Sequence, residues 1–198
     1  MQSEGPYRIA IGMTLLFLAY RARFLLAQPD AFARRARRTP GGPIDYLFPL
    51  MSSVGLLAAG AYLARPSLIA WASFPLPAWA RWSGAGLSLA GLLLLRASQR
   101  ALGACWTFTA RLVEEHRIVR YGPYRWIRHP IFTGLILFLS GPLFISANWA
   151  VGLPPLAAIL FDVLRRVRKE EATLISHFGE AYIDYMMTTG RFFPKMWP

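Results

Sequence analysis

A stretch of 32 residues without a charged side chain, Pro130 to Phe161, constrains the fold more than any other feature of the sequence. A membrane-spanning helix needs about 20 mostly apolar residues, so this stretch is too long for a single crossing. Ser146-Ala147-Asn148, near its middle, is typical of a turn. The stretch therefore predicts two short helices that fold back on each other as a hairpin.

Three further segments predict membrane-spanning helices. Tyr46 to Ala64 holds no charge, whereas Ile9 to Leu26 and Pro77 to Ser98 carry arginines only toward their ends. The third of these contains small residues that let helices approach closely in lipid, namely Gly84, Ser88 and Gly91. With 55% hydrophobic and only 16% charged residues, the sequence predicts an all-α integral membrane protein with about five transmembrane helices.

The basic residues predict the orientation of these helices. With the amino terminus outside, every lysine and arginine except Arg8, Arg65 and Arg81 lies in the cytosolic segments, as the positive-inside rule requires. The net charge of +12 and the cluster Arg34–Arg38 are then explained by anionic lipid, and no nucleic-acid partner is expected. We expect a multi-pass protein of a bacterial inner membrane, with a cytosolic carboxyl terminus and no cleavable signal peptide.

Two polar segments face the cytosol under this topology, and they hold most of the groups that can do chemistry. Gln99–His129 and Arg165 to the carboxyl terminus contain all three histidines and six of the ten acidic residues. We expect one domain, residues 1–198, with scaffold and lipid-binding spans in 9–98 and a catalytic segment in 99–198. The active site should lie at the cytosolic face, where Pro130 places His129 at a helix start that suits an anionic group.

Other interpretations of the same residues stay open at this point. Arg166 and Glu170 are four apart, so they form either a simple ion pair on one helix face or a cation and an anion that face a pocket. His116, His129 and Glu170 lack the spacing of a metal site, and no metal is expected. Cys105 lies among apolar residues and predicts a buried, inert thiol.

Taken together, the two segments resemble the isoprenylcysteine carboxyl methyltransferase family. Residues 122–134 read GPYRWIRHPIFTG, which is similar to that family's G-x-Y-x-[YWF]-x-R-H-P-x-Y-x-G signature. Glu170-Glu171, Phe178–Tyr182 with Tyr185, and Arg191–Pro194 resemble its E-E-x-x-L, F-G-x-x-Y-x-x-Y and R-x-x-P motifs. The resemblance covers roughly residues 96–195, while the amino-terminal half carries no specific motif.

The resemblance implies a membrane enzyme that transfers a methyl group from S-adenosylmethionine and releases S-adenosylhomocysteine. Arg166 and Glu170 would be catalytic, with Arg166 in contact with the substrate. The residues that would hold the cofactor are His116, Arg117, Ile118, Val119, Tyr124, His129, Pro130, Phe132 and Glu170. Phe132 replaces the tyrosine usual in the family, so a hydroxyl contact is missing there.

The acceptor implied by the resemblance is a lipid or a prenylated peptide or small molecule, with the carboxylate of a prenylated cysteine as the reference case. Such a carboxylate is already ionised and needs no general base. An amine or a thiol would need one, and Glu170, Glu171 or His116 are then the candidates. The rival functions are phospholipid or small-thiol methylation, an NADPH-dependent membrane reductase and a non-enzymatic membrane protein.

Overall fold

The computed structural model describes residues 47–103 and 118–195, with residues 6, 9, 12, 13 and 16 besides. The described chain folds into helices: α1 (Leu47–Ala64), a 3₁₀ helix (Pro66–Ala72), α2 (Ala78–Leu102), a second 3₁₀ helix (Gly122–Arg125), α3 (Pro130–Ser146), α4 (Trp149–Phe178) and α5 (Glu180–Thr188). Two isolated backbone bridges, Ser73 with Asn148 and Ile127 with Gly190, tie separate segments of these ranges together.

Helices α2 and α3 pack backbone to backbone along a row of small residues. A Cβ atom placed on Gly91 would lie 2.4 Å from the backbone nitrogen of Phe138, and one on Gly134 would lie 3.0 Å from the carbonyl oxygen of Gly91. Between the two helices, the buried Ser88 hydroxyl of α2 donates a hydrogen bond to the carbonyl of Phe138 on α3 at 3.0 Å. The predicted close approach at Gly84, Ser88 and Gly91 is therefore confirmed, and α3 is its partner helix.

The turn between α3 and α4 is where the sequence places it. Ala147 has φ of 49°, in the left-handed region, and ends α3. The Asn148 side chain is fully buried and caps α4 by accepting from the backbone amides of Ala150 and Val151. Its amide nitrogen donates to the carbonyl of Ile69 at 2.7 Å and to the Ser73 hydroxyl at 3.2 Å. One side chain thus fixes the hairpin to the segment that links α1 and α2.

The helical class of the fold is confirmed, but the number of spans is not. Tyr46–Ala64 and Pro77–Ser98 correspond closely to α1 and α2, and the uncharged stretch forms α3 and the first part of α4. Ile9–Leu26 lies largely outside the described residues. Of the helices in the part of the chain that the structure covers, none combines enough length with enough apolar character to cross a membrane.

Candidate active site

The loop before α3 is held against the carboxyl-terminal tail. Gly122, with φ of +61°, opens a 3₁₀ turn that ends at Arg125, and Ile127 then forms a backbone bridge with Gly190. The backbone amides of Arg128 and His129 donate to the carbonyls of Gly190 and Arg191 at 2.8 and 3.1 Å. This short pairing brings the two motif segments together directly before Pro130 begins α3.

Glu171, on α4, is the centre of a buried ionic cluster that joins three segments. Its side chain is 6% exposed. Its Oε1 atom lies 3.2 Å from Arg128 Nε and 3.3 Å from His129 Nε2. Arg191 donates to the same carboxylate through Nε at 3.2 Å and through Nη2 at 2.5 Å. Helix α4, the loop and the tail therefore meet at one carboxylate.

This cluster keeps Glu171 ionised. Burial alone would raise the pKa of Glu171, but hydrogen bonds from His129, Arg191 and Arg128 outweigh burial and lower that pKa to about 2. Arg128 also donates to the carbonyls of Met186 and Thr189 at the end of α5. Glu171 is thus an anion that holds helix α4, the loop and the tail together, with protein donors on both of its oxygens.

The neighbouring carboxylate, Glu170, has a different environment. Its side chain is 27% exposed, and its Oε2 atom lies 3.8 Å from His129 Nδ1, on the other side of the imidazole ring. Burial raises the pKa of Glu170 above its ordinary value, whereas the charge of His129, when that ring is protonated, and the charge of Arg166 act in the opposite direction. The described residues provide no hydrogen-bond donor within reach of this carboxylate. It therefore keeps acceptor capacity for a ligand.

Tyr124 is a buried residue of the loop. It is 8% exposed and packs with Val119 and Ala101. Its backbone carbonyl accepts a hydrogen bond from the Tyr185 hydroxyl at 2.7 Å. Burial, with smaller contributions from Tyr185 and the Glu170 charge, raises the pKa of Tyr124, so its phenol stays neutral.

Two aromatic rings lie near the His129 imidazole. The ring centroids of Phe132 and Phe192 are 5.8 and 6.0 Å from that of His129. Both phenylalanines also pack against the buried residues of α4 that precede Glu170, with Val163 and Val167 among them. The site therefore has an apolar wall that continues along α3 and α4, away from the charged cluster.

Arg166 does not pair with Glu170. Its Nε atom donates to Asp162 Oδ1 at 2.7 Å, one helical turn earlier on α4. Asp162, Arg166 and Glu170 are each four residues apart, so they share one face of the helix. The Arg166 side chain is 44% exposed, and its charge still acts on Glu170. The interpretation of Arg166 and Glu170 as a simple ion pair is therefore wrong. The other interpretation, a cation and an anion that face the same region, stays a prediction.

The structure brings together most of the residues that the sequence singles out. Val119 packs with Tyr124, and the His129 ring lies near Phe132 and Glu170, directly before Pro130 begins α3. His116 and Arg117 lie outside the described residues, as does Cys105. Sequence reasoning missed Asp162 and the ionic roles of Arg128, Arg191 and Glu171. The spacing of four between Asp162 and Arg166 was the available signal for the first of these.

These side chains suit S-adenosylmethionine. A partly buried carboxylate with unused acceptor capacity, Glu170, matches the ligand's ammonium and hydroxyl donors. Aromatic faces such as Tyr124 and Phe132 suit its positively charged sulfur. The Glu171 carboxylate, in contrast, already accepts hydrogen bonds from protein donors at both of its oxygens.

The fold and the site together define a helical bundle that carries one carboxylate–imidazole site between a hairpin, a loop and a tail. The model of the isoprenylcysteine carboxyl methyltransferase (ICMT) family matches residues 85–176. The predicted resemblance to that family is therefore confirmed, and the matched range contains α3, the loop before it and Glu170.

Individual relatives agree with the family match. A protein-S-isoprenylcysteine O-methyltransferase of Tribolium castaneum is 33% identical over 81 residues, which are 40% of this chain and 28% of the relative. The enzyme of the same name from Schizosaccharomyces pombe is 25% identical over 171 residues, which are 81% of this chain and 58% of the relative. The chain thus matches little more than half the length of these relatives at most.

A solved structure is similar in fold. It is described as the eukaryotic intramembrane Ras methyltransferase ICMT, and it superimposes with a TM-score of 0.60. The superposition covers 94% of this chain and 67% of the other, at 21% sequence identity. At this identity the likeness establishes a shared fold.

Proposed function

We propose that this chain is an S-adenosylmethionine-dependent methyltransferase that methylates the carboxylate of a prenylated cysteine or of a related isoprenoid lipid. One observation carries the proposal. His129 and Glu170 come from separate motifs, and the fold brings them within 3.8 Å of each other, with the ring of Phe132 beside the imidazole. The names of the matched relatives support this reaction class.

The chain's own residues account for binding of the cofactor. Glu170 accepts hydrogen bonds from the donors of the ligand, and Tyr124, neutral because it is buried, offers an aromatic face without a charge. Val119, Pro130 and Phe132 exclude water from the site, since the first two are buried and the third packs on α4. When bound, S-adenosylmethionine supplies a methyl group activated by a positively charged sulfur.

Arg166 is the proposed anchor for the acceptor carboxylate. Asp162 holds only the Nε atom of its guanidinium, at 2.7 Å. The two terminal nitrogens remain to form a bidentate pair with a carboxylate. An ionised carboxylate needs no base. Arg166 and the aromatic walls therefore act by orienting the acceptor oxygen, and positioning of this kind supplies much of the rate of a displacement.

We also propose that the protein lies in a membrane, with the site at its cytosolic face. Large apolar side chains on the helix surfaces support this location: Leu57 on α1 is 74% exposed, Trp79 on α2 is 74% exposed and Leu164 on α4 is 72% exposed. Water-soluble proteins rarely leave so much apolar surface uncovered. The matched intramembrane enzyme and the charge asymmetry support a multi-pass protein of an inner membrane, with a cytosolic carboxyl terminus.

We propose the same roles for the two parts of the chain that the sequence predicts. Residues 9–98 would form the scaffold and lipid-binding part, and residues 99–198 the catalytic part of a single domain. The close packing of α2, from the first part, against α3, from the second, supports a single domain.

A methyl-transfer assay with radiolabelled S-adenosylmethionine tests the proposed acceptor. An S-prenylated cysteine with a free carboxylate should accept the label, and its preformed methyl ester should not, because the reacting oxygen is blocked. Phosphatidylethanolamine and a small aromatic thiol serve as the other acceptors. Label in either of these, with none in the prenylated cysteine, would overturn the assignment to carboxylates while retaining methyl transfer.

A further inference from the structure

The buried carboxylate next to His129 has no role in the proposed binding or methyl transfer. We propose that Glu171 is a positioning residue that holds the proton of His129 on Nε2. The Nδ1 lone pair of His129 then faces Glu170, and the two acceptors together form a cradle for an N–H or O–H donor of the bound ligand. The assignment of the proton rests on geometry alone, while the identity of the ligand rests on the proposed function.

The contacts of Glu171 determine which nitrogen of His129 carries the proton. Three nitrogens lie close to Oε1 of Glu171, namely Arg128 Nε at 3.2 Å, Arg191 Nε at 3.2 Å and His129 Nε2 at 3.3 Å. The other oxygen, Oε2, accepts from Arg191 Nη2 at 2.5 Å. Because a carboxylate in this state only accepts hydrogen bonds, the Nε2 atom must be the donor.

The other ring nitrogen then meets a second acceptor. In a neutral imidazole with its proton on Nε2, the Nδ1 atom carries a lone pair. It lies 3.8 Å from Glu170 Oε2, which is longer than a hydrogen bond. Two acceptors at this separation in a mostly buried site are stabilised by a donor that bridges them. A primary ammonium or a hydroxyl group has the required chemistry, and an ammonium group also offsets the Glu170 charge.

The surroundings of the ring favour this role over simple packing. Phe132 and Phe192 lie beside the imidazole, so they limit its rotation. The backbone amide of His129 is already bonded to the Arg191 carbonyl at 3.1 Å. The backbone and the ring of His129 are thus held by other contacts. What Glu171 adds is the choice of the ring nitrogen that carries the proton.

Nitrogen NMR of the detergent-solubilised full chain, labelled with ¹⁵N-histidine, tests the assignment directly. The chain has only three histidines, and His177→Ala removes the signals of the exposed one without touching the site. Spectra are recorded as a pH series up to the highest pH at which the protein stays folded. We expect His129 to show a protonated Nε2 and an unprotonated Nδ1. A protonated Nδ1 in the wild-type protein would overturn the proposal.

Two substitutions separate the proton position from the stability that Glu171 provides. Glu171→Gln keeps an acceptor for Nε2 but loses the charge, whereas Glu171→Met removes the acceptor. The proposal expects Glu171→Gln to keep the Nε2 proton and to bind S-adenosylhomocysteine within about threefold of wild type. Glu171→Met should lose the single tautomer and bind about tenfold more weakly, as expected for one lost hydrogen bond.

The outcomes distinguish this inference from the proposed function. Equal weakening of S-adenosylhomocysteine binding in both variants, with the tautomer unchanged, would show that Glu171 acts through stability alone and would overturn the inference. If Glu171→Met does not fold, the wild-type and Glu171→Gln spectra still decide the proton position. An Nε2 proton in a wild-type protein that does not bind S-adenosylhomocysteine would support the positioning role and would refute the proposed cofactor.

Discussion

Replacing Glu171 by Gln should destabilise the protein by an amount that depends on pH in a specific way. Glutamine has nearly the shape of a protonated glutamic acid, so the substitution removes the charge and little else. The wild-type carboxylate holds Arg128, His129 and Arg191, and its side chain is only 6% exposed. The loss of this anion leaves two guanidinium groups without their shared counterion.

The magnitude follows from the shift in the pKa of Glu171, from an ordinary 4.5 to about 2. Each pKa unit corresponds to about 1.4 kcal/mol of preferential interaction with the ionised form, so the charge contributes about 3 kcal/mol. Because the folded-state pKa is lowered, this contribution is fully present above about pH 4.5. It decreases as the pH falls toward 2, where the wild type is itself protonated.

Thermal unfolding in detergent between about pH 3 and pH 8 measures this difference. For a chain of this size, about 3 kcal/mol corresponds to a midpoint lower by roughly 6–12 °C near neutral pH. The gap between wild type and Glu171→Gln should narrow steadily in acid. Glu180→Gln is the matched control, since Glu180 is exposed, and it should change little. A gap that is equal at pH 3 and pH 7 would refute the electrostatic account.

Three further predictions concern other parts of the fold. Gly91→Ala places a Cβ atom 2.4 Å from the backbone of α3 and should lower the free energy of unfolding by about 1–3 kcal/mol, measured by thermal unfolding. Gly86→Ala has open space around it and should be neutral or stabilising. Equal effects of the two substitutions would refute close packing of α2 on α3. Asn148→Ala loses a helix cap and two buried donor contacts and should cost about 2–4 kcal/mol in the same assay; a cost under about 0.5 kcal/mol would contradict the described hydrogen bonds. Asp162→Asn should raise KM for the prenylated acceptor about fivefold, because Arg166 loses a charged partner. The affinity for S-adenosylhomocysteine should not change. Weaker S-adenosylhomocysteine binding with an unchanged KM would place Asp162 in the cofactor site.

The fold is predictable from the sequence where local signals are strong. The uncharged stretch with Ser146-Ala147-Asn148 at its middle predicts the hairpin, and the small residues of α2 predict close packing. The partner of those small residues is not predictable, because a row of glycines shows only that some backbone approaches. The contact of Asn148 with Ile69 joins positions 79 residues apart and has no local signature.

The candidate site shows the same limit. The resemblance assigns Tyr124, His129 and Glu170 residue by residue, and the structure brings His129 and Glu170 within 3.8 Å of each other. It does not distinguish the two adjacent glutamates, although one is bound by four donor contacts and the other has acceptor capacity left. That difference arises because successive residues of a helix point in different directions, here toward the tail or toward the site. Their roles depend on packing that no single motif records.

Calorimetric binding of S-adenosylhomocysteine to the detergent-purified chain, with NADPH measured alongside, tests the central claim most directly. Glu170→Ala removes the acceptor carboxylate of the site, and Glu180→Ala removes an exposed carboxylate as the matched control. The proposed function predicts that S-adenosylhomocysteine binds to wild type and Glu180→Ala, that binding is lost or at least tenfold weaker in Glu170→Ala, and that NADPH does not bind. Binding of NADPH to the folded protein, without binding of S-adenosylhomocysteine, would contradict the methyltransferase assignment and favour a reductase.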